Sequence, residues 1–289
     1  MKKLDKAMAD PATFTINSKI GRFFGYFILA LFVFMVFLPL LIVLNVSLKD
    51  TTEYWENGVY SLPNNFFNFS NYVEAFQSGK FLGAFKNTFI LIIVCVPCSI
   101  LLGTMVAYIL GRFEFKAKKL MLGAFTLPTF VPMMTTTIAT FTLIKALHVY
   151  NTIFAGILLY IGSDIVQIYI FLQFVKQIPM ALDESARLDG ASRVRIFYSI
   201  ILPQMKPAIA TTAILKILTI YNDFFTPYMY MPKSTLRTVA TALNTFASDK
   251  MANWPLMCAA IVFVAIPTLI IYVLLQKQII GGVTDGAVK

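Results

Sequence analysis

Long apolar runs separated by short polar segments set the pattern of this chain. A helix crossing a bilayer needs about 20 mainly apolar residues at 1.5 Å rise each. Six runs meet that length: Gly21–Leu48, Leu82–Leu110, Leu120–Leu147, Thr152–Lys176, Ala208–Met231 and Trp254–Gln278. The pattern predicts an all-α membrane protein of six transmembrane helices, forming a single domain over residues 1–289 with no room for a separate soluble domain. A polar, charged leader, Met1–Lys19, precedes the first run. That run is too long for a signal-peptide core and no small-residue cleavage site follows it, so it reads as a retained helix. Pro39, Pro97, Pro128, Pro132, Pro227 and Pro267 fall inside the runs. Each removes a backbone donor and is expected to kink its helix.

Composition agrees with the pattern. The chain is 58% hydrophobic and 13% charged, where a soluble domain carries about 25% charged residues; its mean hydropathy is +0.75. The net charge of +10 could speak for nucleic acid, but its placement in short loops speaks against it. One side of the predicted membrane holds Lys2, Lys3, Lys6, Lys19 and Arg22, then Arg112, Lys116, Lys118 and Lys119, then Lys176, Arg187, Arg193, Arg195 and Lys206, and finally Lys277 and Lys289. The other side holds fewer: Lys49, Lys80, Lys86, Lys145, Lys233, Arg237 and Lys250. Positive charge marks the cytoplasmic side, so both termini are expected in the cytoplasm. Lys216 alone lies well within a run.

Other features change the picture less. Cys95-Val-Pro-Cys98 has redox spacing but sits at membrane depth, where it reads as packing, and Cys258 makes no framework with it. The single His148 has no companions for a metal site. The segment from Lys49 to Lys80 carries turn signals at Asn57-Gly58 and Pro63-Asn64-Asn65 and several aromatics; it is read either as a small outer cap or as an interfacial aromatic belt.

Two segments carry candidate function. The loop 177–207 reads as two short helices. Pro179 suits a first helical turn, Met180–Leu188 can form a helix, and Gly190 supplies a positive-φ stop. Ser192 can cap a second helix that runs until Pro203. On the first, Ala181, Ser185 and Leu188 share a stripe, with Glu184 and Arg187 on another. Such a helix could plug a groove in another protein or simply lie on the membrane surface. In the fifth run, Asn222 and Asp223 are costly in lipid and should face a cavity or a partner helix. Tyr221, Phe224 and Tyr228 add aromatic faces and hydroxyls suited to sugar rings. Asp223 pairing with Lys216 or a neighbouring helix is the other reading. Thr135, Thr136 and Thr137 form a second polar patch.

Glu184-Ser185-Ala186, three residues, Gly190, nine residues, then Ile200-Ile201-Leu202-Pro203 resembles the EAA loop of ABC importer permeases. Ser185 departs from the usual Ala, a small-for-small change, and Asp189 matches the Asp before the Gly. The resemblance implies a type I-like importer permease in which roughly Met180–Ser192 is a coupling helix docking on an ATPase, with Glu184, Ser185, Ala186, Asp189 and Gly190 as the coupling residues. ATP-driven closure of the ATPase dimer would then switch the cavity between inward- and outward-facing. The chain holds no G-x-x-x-x-G-K-[ST] loop, so it is expected to catalyse nothing and bind no cofactor itself, ATP and Mg residing on the partner ATPase.

Tyr221-Asn222-Asp223-Phe224-Phe225-Thr226-Pro227 resembles the Trp-Asn-Asp/Glu-Phe-x-x-Pro element of carbohydrate-uptake permeases of the maltose-importer type, with Tyr for Trp. The segment Thr235–Leu243 continues the match, with Arg237 where Pro is usual. The tail Gly281-Gly282-Val-Thr-Asp-Gly-Ala-Val-Lys289 resembles that of the second permease of the pair. The resemblance implies a sugar or oligosaccharide pathway touching Tyr221, Asn222, Asp223, Phe224 and Tyr228. It also implies a second homologous permease, an ABC ATPase dimer bound through loop 177–207 with the C-terminal tail as a further candidate contact, an extracytoplasmic solute-binding protein, and a bacterial or archaeal cell (inner) membrane. Rival readings are an ABC permease for glycerol phosphate, a polyamine or a peptide, and a stand-alone secondary transporter.

Overall fold

The computed structural model describes residues 19–247 and 253–287. Lys2, Lys3 and Lys6 of the leader, Lys250 and Lys289 lie outside the described residues. Every regular element described is helical. In chain order these are α1 (Lys19–Ser47), α2 (Thr51–Asn57), α3 (Ser70–Ser78), α4 (Phe81–Arg112), α5 (Lys118–Thr126), α6 (Met133–Ala146), α7 (Ile153–Tyr160) and α8 (Ile165–Gln177). There follow α9 (Met180–Leu188), α10 (Arg193–Ile196), α11 (Leu202–Gln204), α12 (Lys206–Asn222), α13 (Phe225–Tyr230), α14 (Val239–Ala242), α15 (Asn244–Ala247) and α16 (Trp254–Ala287).

Three described helices are long and apolar enough to cross a membrane unbroken: Phe23–Ser47, Phe81–Arg112 and Trp254–Leu274. The third and fourth predicted spans are bent pairs, Lys118–Phe130 with Thr135–Ala146, and Ile153–Tyr160 with Ile165–Gln177, the latter bent by 42°. The fifth is also divided, with α12 ending at Asn222 and α13 starting at Phe225. Proline is not the main cause. Pro39, Pro97 and Pro267 lie inside unbroken helices, where only Pro128 and Pro132 coincide with a break. The other two breaks fall at small or polar residues, Gly162-Ser163-Asp164 and Asp223-Phe224. Asp164 starts α8 by accepting a hydrogen bond from Gln167 N at 2.8 Å, and Asp223 Oδ1 accepts from Thr226 N at 3.0 Å. Both are caps that begin a new helix.

α4 is the spine, packing against α7, α8 and α12, while α16 packs against α1, α3 and α12. The most apolar 18-residue stretch of α1 has a mean hydropathy of 3.2 and none of it is buried, as expected of a helix whose solvent is lipid, while Val46 and Ser47 at the helix end are buried. One buried cluster joins the end of α4 and the length of α8 to α9, α10 and the foot of α12, through Leu110, Phe171, Val175, Ala186, Ile196 and Ala208. A second joins α3, the start of α4 and α14–α16 around Phe81 and Phe246. Segment 49–80 folds back around Lys49. Lys49 is fully buried and its Nζ donates to Gly58 O (2.7 Å) and Ser61 Oγ (2.7 Å). Burial pulls its pKa below the ordinary lysine value, with Glu53 opposing. Asn87 Nδ2 on α4 ties down the loop after α13 by donating to Thr235 O and Arg237 O, both at 2.9 Å.

α4 and α8 come together at Gly111, where an added Cβ would lie 2.6 Å from Val175 Cγ1. Val175 is fully buried and its β-branched side chain has little rotamer freedom. Gly111→Ala is expected to lose about 1–3 kcal/mol to overpacking, outweighing the ~1 kcal/mol gained in helix propensity. Thermal unfolding in detergent checks this: the midpoint should fall, and Val175→Ala in the same chain should restore it.

Candidate functional site

The cytoplasm-predicted loop is held by a buried ion pair. Arg112, the last residue of α4, places Nε 3.1 Å from Asp183 Oδ2 of α9, with side-chain exposures of 3% and 1%. Arg112 also donates to Ile178 O at 2.8 Å. Neither carboxylate oxygen of Asp183 has a hydrogen-bond partner among the described residues, so Arg112 is what compensates its charge. Ala186, one turn on, is buried in the same cluster as Val175 and Ile196. Asp183 and Ala186 therefore form the inner face of α9, three residues apart.

The opposite face is free. Ala181, Glu184 and Ser185 are exposed and Leu188 is 90% exposed. Asp189 and Gly190 follow at an exposed turn, with Gly190 at φ +79° and open space around it. Ser192 Oγ accepts from Arg195 N at 3.3 Å and caps α10. Four of the expected coupling residues, Glu184, Ser185, Asp189 and Gly190, thus lie together on the outer side, while Ala186 turns inward. Pro203 does not end the second helix. A π-helical stretch, Phe197–Ile201, shifts the bonding so that Pro203 is taken into α11, and the chain passes into α12 at Lys206.

The five residues of the fifth run separate in the same way. Asn222, Phe224 and Tyr228 are exposed, and the rings of Phe224 and Tyr228 stack with centroids 5.1 Å apart and planes 20° apart. Tyr221 is 2% exposed and its hydroxyl donates to Val264 O of α16 at 2.9 Å, so it packs two helices together. Asp223 is half-buried and accepts from Tyr160 Oη at 2.9 Å. Lys216 does not pair with Asp223; its Nζ donates to Gly162 O at 2.9 Å, filling a carbonyl left open by the break in the fourth span.

Sequence reasoning missed Arg112 and Asp183. The signal available was an acid in the first turn of a short helix, a position also favoured by the helix dipole, and a basic residue ending a span. Nothing local links the two.

The family model described as binding-protein-dependent transport system inner membrane component matches residues 73–281. The chain belongs to that family. Among similar proteins, a galactooligosaccharides transport system permease protein of Bacillus subtilis is 29% identical over 280 residues, covering 96% of this chain and 99% of its own length. A probable starch degradation products transport system permease protein of Thermoanaerobacterium thermosulfurigenes is 30% identical, covering 87% and 91%. A crystal structure of a bacterial ABC transporter that imports the acidic polysaccharide alginate contains a chain of the same fold, with a TM-score of 0.77 at 22% identity, covering 91% of this chain and 98% of that one. This chain is a multi-pass membrane permease of an ABC importer, and not an enzyme.

Removing either member of the permease's buried pair leaves an uncompensated charge, which costs about 3–5 kcal/mol. Arg112→Ala and Asp183→Ala should each speed hydrogen exchange of the amides over 180–190, and the double variant should lose less than the two single losses added together. Additive losses would show that the two side chains do not act as a pair.

Proposed function

We propose that this permease carries a neutral sugar or oligosaccharide into the cell, driven by a separate ABC ATPase that docks on the outer face of α9. The observation that carries the coupling half is that face itself. A helix with Leu188 90% exposed and Glu184 and Ser185 beside it is locked to the bundle by its other side. It offers a partner a rigid, partly apolar plug with small residues for close approach. The carbohydrate half is supported by the relatives, whose names specify galactooligosaccharides, melibiose, raffinose and stachyose and starch degradation products. The exposed, stacked Phe224–Tyr228 pair is chemistry that suits a sugar ring's apolar face.

In this reading the chain forms one transmembrane domain crossing the inner membrane six times with both termini in the cytoplasm. Span five is the interrupted helix α12–α13. A second, similar permease completes the pathway, an external solute-binding protein delivers the sugar, and ATP and Mg act only on the ATPase dimer. Asn222, Phe224 and Tyr228 line the path, Asp223 holds the break that presents them, and Tyr221 anchors it to α16. Glu184, Ser185, Asp189 and Gly190 meet the ATPase, while Ala186 acts from within by letting α9 sit close to the bundle.

The test is uptake of tritiated oligosaccharides into liposomes holding the complete transporter and its binding protein. Uptake should require ATP hydrolysis, and uptake that survives its loss would sink the reading. Gly190→Val probes the docking turn. A β-branched residue in the left-handed region costs about 1–2 kcal/mol, while the space around Gly190 is open, so membrane insertion is expected to persist. Uptake should drop several-fold against ATP hydrolysed; unchanged uptake per ATP would refute the docking assignment.

A further inference from the structure

A groove of about 350 Å³ opens between the end of α4 and the stretch that begins at Arg193. One wall is a helical stripe, Met105, Tyr108 and Ile109 at i, i+3 and i+4, continued by Phe113. The other is Val194, Phe197 and Tyr198, again at i, i+3 and i+4. Four rings run through it in a row. Between centroids, Phe113 meets Tyr108 at 5.5 Å, Tyr108 meets Phe197 at 5.3 Å, and Phe197 meets Tyr198 at 4.9 Å. Met105, Ile109, Val194 and Tyr198 are exposed, so nothing among the described residues covers these apolar walls.

Depth and charge indicate what does cover them. α4 has 32 residues, about 48 Å at 1.5 Å rise, against a hydrocarbon core of about 30 Å. Centred in a bilayer, it leaves about 9 Å at each end in the headgroup layer. Met105 lies seven residues before the helix end, so the groove starts at the edge of the hydrocarbon and runs out through the headgroups. At its polar end Arg193 holds its guanidinium 5.1 Å from the centroid of the Phe113 ring, a cation–π contact that orients it. Arg193 is exposed and makes no ion pair among the described residues. Glu114, the acid next to Phe113, is taken by Lys118 at 2.6 Å, and Asp183 by Arg112. Lys116, Lys119 and Arg195, close by in sequence and exposed, add further positive charge.

We propose that this groove holds one anionic phospholipid, its phosphate on Arg193 and one acyl chain laid along Met105, Ile109, Val194 and Tyr198. A guanidinium is weakly hydrated and offers a planar fork of donors that matches a phosphate. A zwitterionic lipid carries the same phosphate but brings its own cation into a basic surrounding, so a lipid of net negative charge is preferred. A free phosphate ion would use the guanidinium and leave the apolar walls in water, whereas an acyl chain covers them. The leaflet, the cytoplasmic one, follows from the orientation proposed above; the chemistry of the groove does not depend on it. A lipid seated here touches both α4 and the stretch that leads from α9 towards α12, and so closes the seam between them.

The experiment adds lipid to the complete transporter purified in detergent and counts bound molecules by native mass spectrometry. The probes are phosphatidylglycerol, phosphatidylcholine and inorganic phosphate. One phosphatidylglycerol bound by the wild type, in preference to phosphatidylcholine, should need about fivefold more lipid in Arg193→Gln, the weight of one basic side chain at an anionic surface. Ile109→Trp fills the groove, keeps the guanidinium, and should displace the same molecule. Arg195→Gln removes an equal charge outside the groove and should leave that molecule bound, as should inorganic phosphate. Equal losses in Arg193→Gln and Arg195→Gln overturn the site in favour of diffuse surface charge. Displacement by inorganic phosphate overturns it in favour of a free anion. Unchanged lipid binding in both groove variants also overturns it, and loss of the ATPase subunit in those variants would give the groove to that protein. No solute enters the measurement, so none of these results bears on the carbohydrate reading.

Discussion

A backbone carbonyl freed inside a membrane span has no water to turn to, so some other part of the protein must supply its donor. This constraint shapes the centre of the permease. Where the fourth span breaks, Gly162 O takes Lys216 Nζ at 2.9 Å and Ser99 Oγ at 3.2 Å, and Ser163 Oγ donates to Ser99 O in return. Between α12 and α13, Asp223 takes the amide of Thr226 and the hydroxyl of Tyr160. Each break is thus bonded to a different helix, and the two breaks between them tie α4, α7, α8 and α12 together. Polar residues concentrate at these breaks because the breaks need them.

The Arg112–Asp183 pair solves a different problem. α9 spans only nine residues, too few for an isolated helix to be stable in water, and most of its surface is exposed. An ion pair buried at 3% and 1% exposure is an expensive way to hold it, since a well-packed apolar contact of the same volume is often as stable. What an ion pair adds is register. Arg112 reaches Asp183 and Ile178 O only when α9 sits in one rotation about its axis, and that rotation turns Glu184, Ser185 and Leu188 outward. A purely greasy inner face would tolerate slippage, and the outer face would then be presented in several orientations.

How much of this was legible in the sequence depended on how local its cause is. The bounds of α9, the positive φ of Gly190 and the Ser192 cap follow from neighbours within a few residues, and reading the loop residue by residue recovers them. The stripe holding Ala181, Ser185 and Leu188 is the free face, as helical spacing implies. The breaks were not foreseen, because proline was read only as a marker of kinks. Pro39, Pro97 and Pro267 are carried through unbroken helices, while Gly162-Ser163-Asp164 interrupts the fourth span without one. Tyr221 looked like its neighbours in the fifth run, and only the partner carbonyl on α16 shows that it faces the packing. Arg112 and Asp183 owe their roles to residues far away in the chain, and no spacing rule reaches that distance.

The same packing ties α9 to the foot of α12. Ala186 on α9, Ile196 and Ile201 on the following turns, and Met205 and Ala208 at the foot of α12 belong to one buried cluster. Ile196, Ile201, Met205 and Ala208 are all fully buried. Interiors packed at this density shift as blocks and do not deform smoothly. A load on α9 is shared at once by the foot of α12, and α12 carries Lys216 and the polar face that ends at the aromatic pair. The π-helical stretch Phe197–Ile201 lies in the middle of that route. Its looser bonding absorbs the extra residue that lets Pro203 stay helical, so the link between α9 and α12 remains continuous. A break there would leave α9 held to the bundle only through Arg112 on α4 and the packing of Ala186 in the cluster with α8.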